Sequence, residues 1–72
     1  MVFRFRLRGK GLRHSWQKEC QQDVALTHAQ QVAREYANDG MYHGTDIRVL
    51  DRDDNEVAIV PVSKEALTKL RD

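Results

Sequence analysis

The sequence predicts a small α+β domain: a β-β-α-β-β chain whose antiparallel sheet of three or four strands carries one helix on one face, with a short helix at the C-terminus. Three observations predict it. Residues 2–8 alternate apolar and basic side chains, which is the period of a half-buried strand. Residues 29–37 repeat apolar side chains at steps of three and four, the period of an amphipathic helix. Two runs rich in β-branched residues, 45–50 and 56–62, flank a cluster of Asp and Asn at 51–55, the pattern of a hairpin. At 72 residues the chain makes a single domain over 1–72 and buries roughly 60% of its unfolded surface.

The elements follow in order. In the first strand Phe3, Phe5 and Leu7 share one face and Arg4, Arg6 and Arg8 the other. Gly9-Lys10-Gly11 supplies a tight turn. Residues 12–22 fit two patterns: Leu12, His14 and Trp16 alternate as a returning strand, whereas Leu12, Trp16 and Cys20 fall four apart as on a helix. The short glycine turn favours the hairpin. Thr27 with Gln30 matches a capping box, so the helix is expected over 28–39, about 18 Å long. Its stripe is Ala29, Val32, Ala33, Tyr36 and Ala37, and its small residues predict a close approach to the sheet. Gly40 closes it with a left-handed residue. Ile47 and Val49 then share one face of a strand and Arg48 and Leu50 the other. Pro61 has no N–H and suits an edge strand or a strand end. Ser63 is placed to cap the terminal helix, docked by Ala66, Leu67 and Leu70, with Glu65 early and Lys69 and Arg71 late. The sheet face away from the main helix is expected to carry Arg4, Arg6, Arg8 and Arg48, mixed with Leu50 and Val60.

Charge is unevenly placed. The formal total is +1, yet residues 1–18 hold Arg4, Arg6, Arg8, Lys10, Arg13 and Lys18 and no acid, while the remainder carries a net −5. The longest apolar run, 57–62, is far short of a membrane span. Arginines interrupt the N-terminus, leaving no apolar core of signal-peptide type. Cys20 is the sole cysteine, which makes a reducing, cytoplasmic setting the expectation.

Few residues suggest catalysis or metal binding. The 51–56 segment resembles the start of a calcium loop, but the positions needing Gly and a bidentate Glu hold Glu56 and Val62. His14, Cys20, His28 and His43 match no paired zinc spacing and are expected at the surface. Cys20 has only Lys18 nearby to activate it as a thiolate. The expectation is therefore a protein that is not an enzyme and uses no cofactor and no metal. Binding is expected instead from Arg4, Arg6, Arg8, Lys10, Arg13, Lys18, Arg48 and Tyr42. Arginines two apart on a strand stand about 6.6 Å apart, close to the step between phosphates along a nucleic acid strand. The bland alternative is a solvated face whose arginines pair with acids on neighbouring strands. Trp16, Met41 and Tyr42 are either partner contacts or core residues.

The stretch 26–33, Leu-Thr-His-Ala-Gln-Gln-Val-Ala, followed by 43–49, His-Gly-Thr-Asp-Ile-Arg-Val, resembles short phage and mobile-element proteins, among them some type I anti-CRISPR inhibitors. The resemblance covers roughly residues 26–60 and excludes the arginine ladder. It implies a non-enzymatic inhibitor that docks on a host protein or nucleoprotein complex in the bacterial cytoplasm. Two alternatives stand beside it. One is direct nucleic-acid binding through the basic N-terminal strand. The other is a self-associating bacterial protein, a homodimer in which basic and acidic surfaces meet. No membrane partner is expected.

Overall fold

The computed structural model describes residues 1–9, 12–40, 44–64 and 69–70. Lys10 and Gly11 of the first turn, and Met41, Tyr42 and His43, lie outside the described residues. The elements are β1 (Val2–Gly9), β2 (Leu12–Glu19), α1 (Gln22–Asn38), β3 (Asp46–Leu50), β4 (Glu56–Pro61) and β5 (Lys69–Leu70). The sheet order is β2-β1-β3-β4-β5, with every neighbouring pair antiparallel. The α+β class and the helix-on-sheet arrangement are those the periodicities predict, and the ambiguous 12–22 segment resolves as the returning strand over Leu12–Glu19, with Gln22 already in the helix.

Alternation decides which face of the sheet meets the helix. Phe3, Phe5 and Leu7 of β1 are almost fully buried, as are Ile47, Val49, Ala58 and Val60. They pack against Ala25, Ala29, Ala33 and Ala37, one stripe at four-residue steps along α1. Each large apolar side chain so buried stabilises the fold by about 1.5–3 kcal/mol. The alanines set the geometry: with only a methyl on each turn, the helix backbone lies close over the aromatic layer. Phe5 stacks on Trp16 of β2, with centroids 5.4 Å apart. Trp16 donates its indole N–H to His28 Nε2 at 3.0 Å, so this ring pair ties β2 to α1.

Four expectations need correction. The helix begins at Gln22, with Gln21 at the N-cap and no side-chain capping bond. Thr27 lies inside it and donates its hydroxyl to the Asp23 carbonyl at 3.0 Å, a back-bond that a helical Ser or Thr makes readily. Of the expected terminal helix, Glu65, Ala66, Leu67 and Arg71 lie outside the described residues; Lys69 and Leu70, expected in it, instead form β5 opposite Ile59 and Ala58, because the open edge of β4 offers unpaired backbone groups. Val60 sits opposite Ile47 and belongs to the helix-side core; Ile59, opposite Arg48, takes the open face instead. His28 is half-buried against Phe5 and Trp16, and Cys20 packs partly buried against the core. Both were expected at the surface.

The ends of elements are built as their residues dictate. Gly40 has φ 70° and donates its N–H to the Ala37 carbonyl at 3.1 Å. In the β3–β4 turn, Asp51 Oδ1 accepts the N–H groups of Asp53 and Asn55, each at 2.9 Å. Asp54 then takes φ 64°, a conformation short polar side chains tolerate. Leu50 pairs with Glu56 across a register shift that leaves Val57 as the extra residue of a bulge. Pro61 ends β4, as its missing N–H requires.

Candidate anion-binding surface

Register places the basic residues more firmly than alternation alone. Arg4, Arg6 and Arg8 lie on the face opposite Phe3, Phe5 and Leu7, away from the helix. Across the β1–β2 pair, Arg8 stands opposite Arg13, Arg6 opposite Ser15 and Arg4 opposite Gln17. Across the β1–β3 pair, Arg6 stands opposite Arg48, Arg8 opposite Asp46 and Arg4 opposite Leu50. Five arginines from three adjacent strands therefore share the open face. Directly opposed residues have Cβ atoms about 4.5–5.5 Å apart, so the group forms a patch.

Two of the five hold carboxylates. Arg4 Nη1 donates to Asp54 Oδ1 at 3.0 Å. Arg48 Nη1 donates to Glu56 Oε2 at 3.0 Å, and its Nε lies 3.6 Å from Asp46 Oδ1. The last is an ion pair without hydrogen-bond geometry, since neither atom has a hydrogen-bond partner. Partly exposed pairs of this kind contribute about 0–1 kcal/mol each. Their main effect is to take Arg4 and Arg48 out of the pool of free cations.

Arg6, Arg8 and Arg13 have no carboxylate within ion-pair distance among the described residues. All three border one open depression of about 300 Å³, with Ser15 beside them and Leu7 and His14 completing the lining. The expected alternative, arginines paired with acids of neighbouring strands, holds for Arg4 and Arg48 and not for these three. Guanidinium groups offer five N–H donors each in a fixed fork. Three of them around one depression, with a serine hydroxyl, make a donor-rich site for phosphate or carboxylate oxygens.

The other expected residues divide. Lys18 stands opposite Phe3, on the helix side, beside Asp23, Thr27, His28 and Gln31 in a separate depression; it is not part of the arginine patch. Lys10 and Tyr42 lie outside the described residues. Trp16 takes the core role, stacked on Phe5, in tilted contact with His14 and bonded to His28. His28 is pushed below its ordinary pKa of 6.5, first by burial and then by the positive charge of Lys18, with Glu35 opposing. Its acceptor role towards Trp16 requires the neutral ring with the proton on Nδ1. Sequence reasoning missed that bond and the Arg4–Asp54 pair, which joins residues fifty positions apart; no spacing rule signals either.

Among the described residues no group of three His, Cys, Asp or Glu side chains is placed to hold a metal ion. No helix among them is long and apolar enough to cross a membrane. Fold and surface together define the class: an α+β domain with one helix-covered sheet face and one open, arginine-bearing face. Comparison with protein-family models, with curated proteins and with solved structures finds no match to this chain.

Proposed function

We propose that this chain is a non-enzymatic binding protein whose open sheet face engages the phosphate backbone of a nucleic acid, free or within a nucleoprotein complex. The observation that carries the reading is the convergence of Arg6, Arg8 and Arg13 on one depression with no carboxylate partner among the described residues. A phosphate-directed mode is favoured over base stacking, because Phe3, Phe5 and Trp16 all sit on the helix side and sheet-type RNA readers need exposed aromatics. Arginines also anchor protein interfaces, so a protein target is distinguished from nucleic acid by the test below. The inhibitor role implied by the phage-protein resemblance uses the same surface: the target is then a host complex, approached through its nucleic acid.

The test is a salt titration of binding to labelled duplex and single-stranded oligonucleotides, followed by fluorescence anisotropy. Phosphate contacts release counterions, so log affinity falls linearly with log salt, by about 0.9 per contact on duplex and about 0.7 on single strands. A slope near zero, or no binding at low salt, refutes the reading. Recovery of a nuclease-insensitive protein complex from bacterial lysate would move the assignment to a protein target.

A further inference from the structure

We infer that β2 is a self-pairing edge, and that its occupant is the β2 strand of a second copy of this chain, in one particular register. The strand is outermost in the sheet, eight residues long and paired without a bulge along its whole length with β1. It contains no proline. Among the described residues nothing pairs with its outer side. Long, regular edges of this kind are templates for another strand unless something blunts them.

The backbone fixes which residues reach outward. Cys20 donates its N–H to the Met1 carbonyl at 2.8 Å, one step beyond the Val2–Glu19 pair. Met1 and Cys20 therefore face each other as a hydrogen-bonded pair, and such pairs alternate along an antiparallel ladder. Even-numbered residues of β2 turn their N–H and C=O groups to β1. Arg13, Ser15, Gln17 and Glu19 turn theirs to the open edge. A second β2 added antiparallel must match odd residues with odd ones. The two-fold axis then passes at a single residue position, leaving a small set of registers.

Charge selects among them. Centred on Trp16, the pairing sets Arg13 against the second copy's Glu19 at both ends and Ser15 against its Gln17. His14 faces its Lys18. Centred on Ser15 or on Gln17, Arg13 faces a glutamine and neither charge is met. The Trp16 register also places the two indoles in the closer, non-hydrogen-bonded kind of pair. The axis is normal to the sheet, so both helices lie on one side and both arginine faces on the other. The seam lies beside Arg8 and Arg13, and the two depressions become neighbours on one continuous surface.

Sedimentation equilibrium of the full chain without nucleic acid tests this independently of the proposed function. The expected result is a reversible dimer at about 100 µM. Ser15→Pro removes an outward N–H that β1 does not use, so it should abolish the dimer and leave the circular dichroism spectrum unchanged. Should that variant fold poorly, the exposed charges decide. Glu19→Arg should weaken the dimer at least about tenfold, one decade of Kd, and Arg13→Glu combined with Glu19→Arg should restore it. A monomer at that concentration, a dimer that survives Ser15→Pro, or a double variant no better than Glu19→Arg alone overturns the inference.

Discussion

Replacing Arg6, Arg8 and Arg13 together by Gln separates binding from stability more sharply than any other change on this surface. Gln keeps part of the aliphatic stem and removes the charge. The three arginines have no carboxylate partner among the described residues of their own chain, so no ion pair within the chain is lost. Arg8 and Arg13 face each other in register; at about 5 Å in water two unit charges repel by about 0.8 kcal/mol, and like charges directly opposed on a sheet cost about 0.2–1 kcal/mol. The variant is therefore expected to be as stable as the parent, or more stable by up to about 1 kcal/mol, in urea unfolding followed by circular dichroism. Binding should move the other way. Three phosphate contacts on duplex account for a slope of about −2.7, which between 50 and 200 mM salt amounts to roughly a 40-fold change in affinity. The variant should lose that share of the slope. A variant destabilised by more than about 1 kcal/mol would show that these arginines hold the sheet together. An unchanged slope would show that nucleic acid binds elsewhere or not at all.

Other perturbations test the packing. A Cβ at Gly9 would overlap Thr45 Cγ2 and lie 3.1 Å from the Thr45 Cα, so Gly9→Ala should cost about 1–3 kcal/mol in urea unfolding; a neutral result would deny the close approach of β1 to the start of β3. Ala33 is fully buried between helix and sheet, and Ala33→Leu should cost a similar amount, about 1–3 kcal/mol, with a lowered thermal midpoint. His28 has its pKa lowered from 6.5 by burial and by Lys18. The unfolded chain therefore takes up the proton first as pH falls, so this group's contribution is complete above pH 6.5 and is lost as pH drops through the lower folded-state value. Unfolding midpoints should decline from neutral towards acidic pH more steeply in the parent than in His28→Phe, and equal slopes would refute the coupling.

The legible parts of this fold are those in which the local period and the tertiary environment agree. Phe3, Phe5 and Leu7 alternate with arginines, and a sheet covered on one face needs that order and no other. The start of α1 was misleading because Thr27 and Gln30 imitate a cap, while the true N-cap, Gln21, makes no side-chain bond. Ala25, one turn before Ala29, was the available signal, since it continues the four-residue stripe. Simple counting along the last hairpin puts Val60 on the open face, and the bulge near Val57 breaks that count. Ser63 with Glu65 suggests a helix, yet Lys69 and Leu70, which that helix would include, pair with β4, where an open edge offers unpaired backbone groups.

The candidate surface divides in the same way. By itself the sequence determined that the basic residues concentrate in the first 18 positions and that Arg4, Arg6 and Arg8 share one face, because strand geometry sends alternate side chains to opposite sides. Only the tertiary structure decided which of the arginines remain free cations. That choice depends on register: Asp54 of the β3–β4 turn reaches Arg4 fifty positions away, Glu56 holds Arg48 from the adjacent strand, Arg13 comes to stand beside Arg8, and Lys18 is carried to the opposite face. Charge neutralisation is a matter of distances of a few ångströms between residues far apart in the chain, and those distances exist only once the strands have paired.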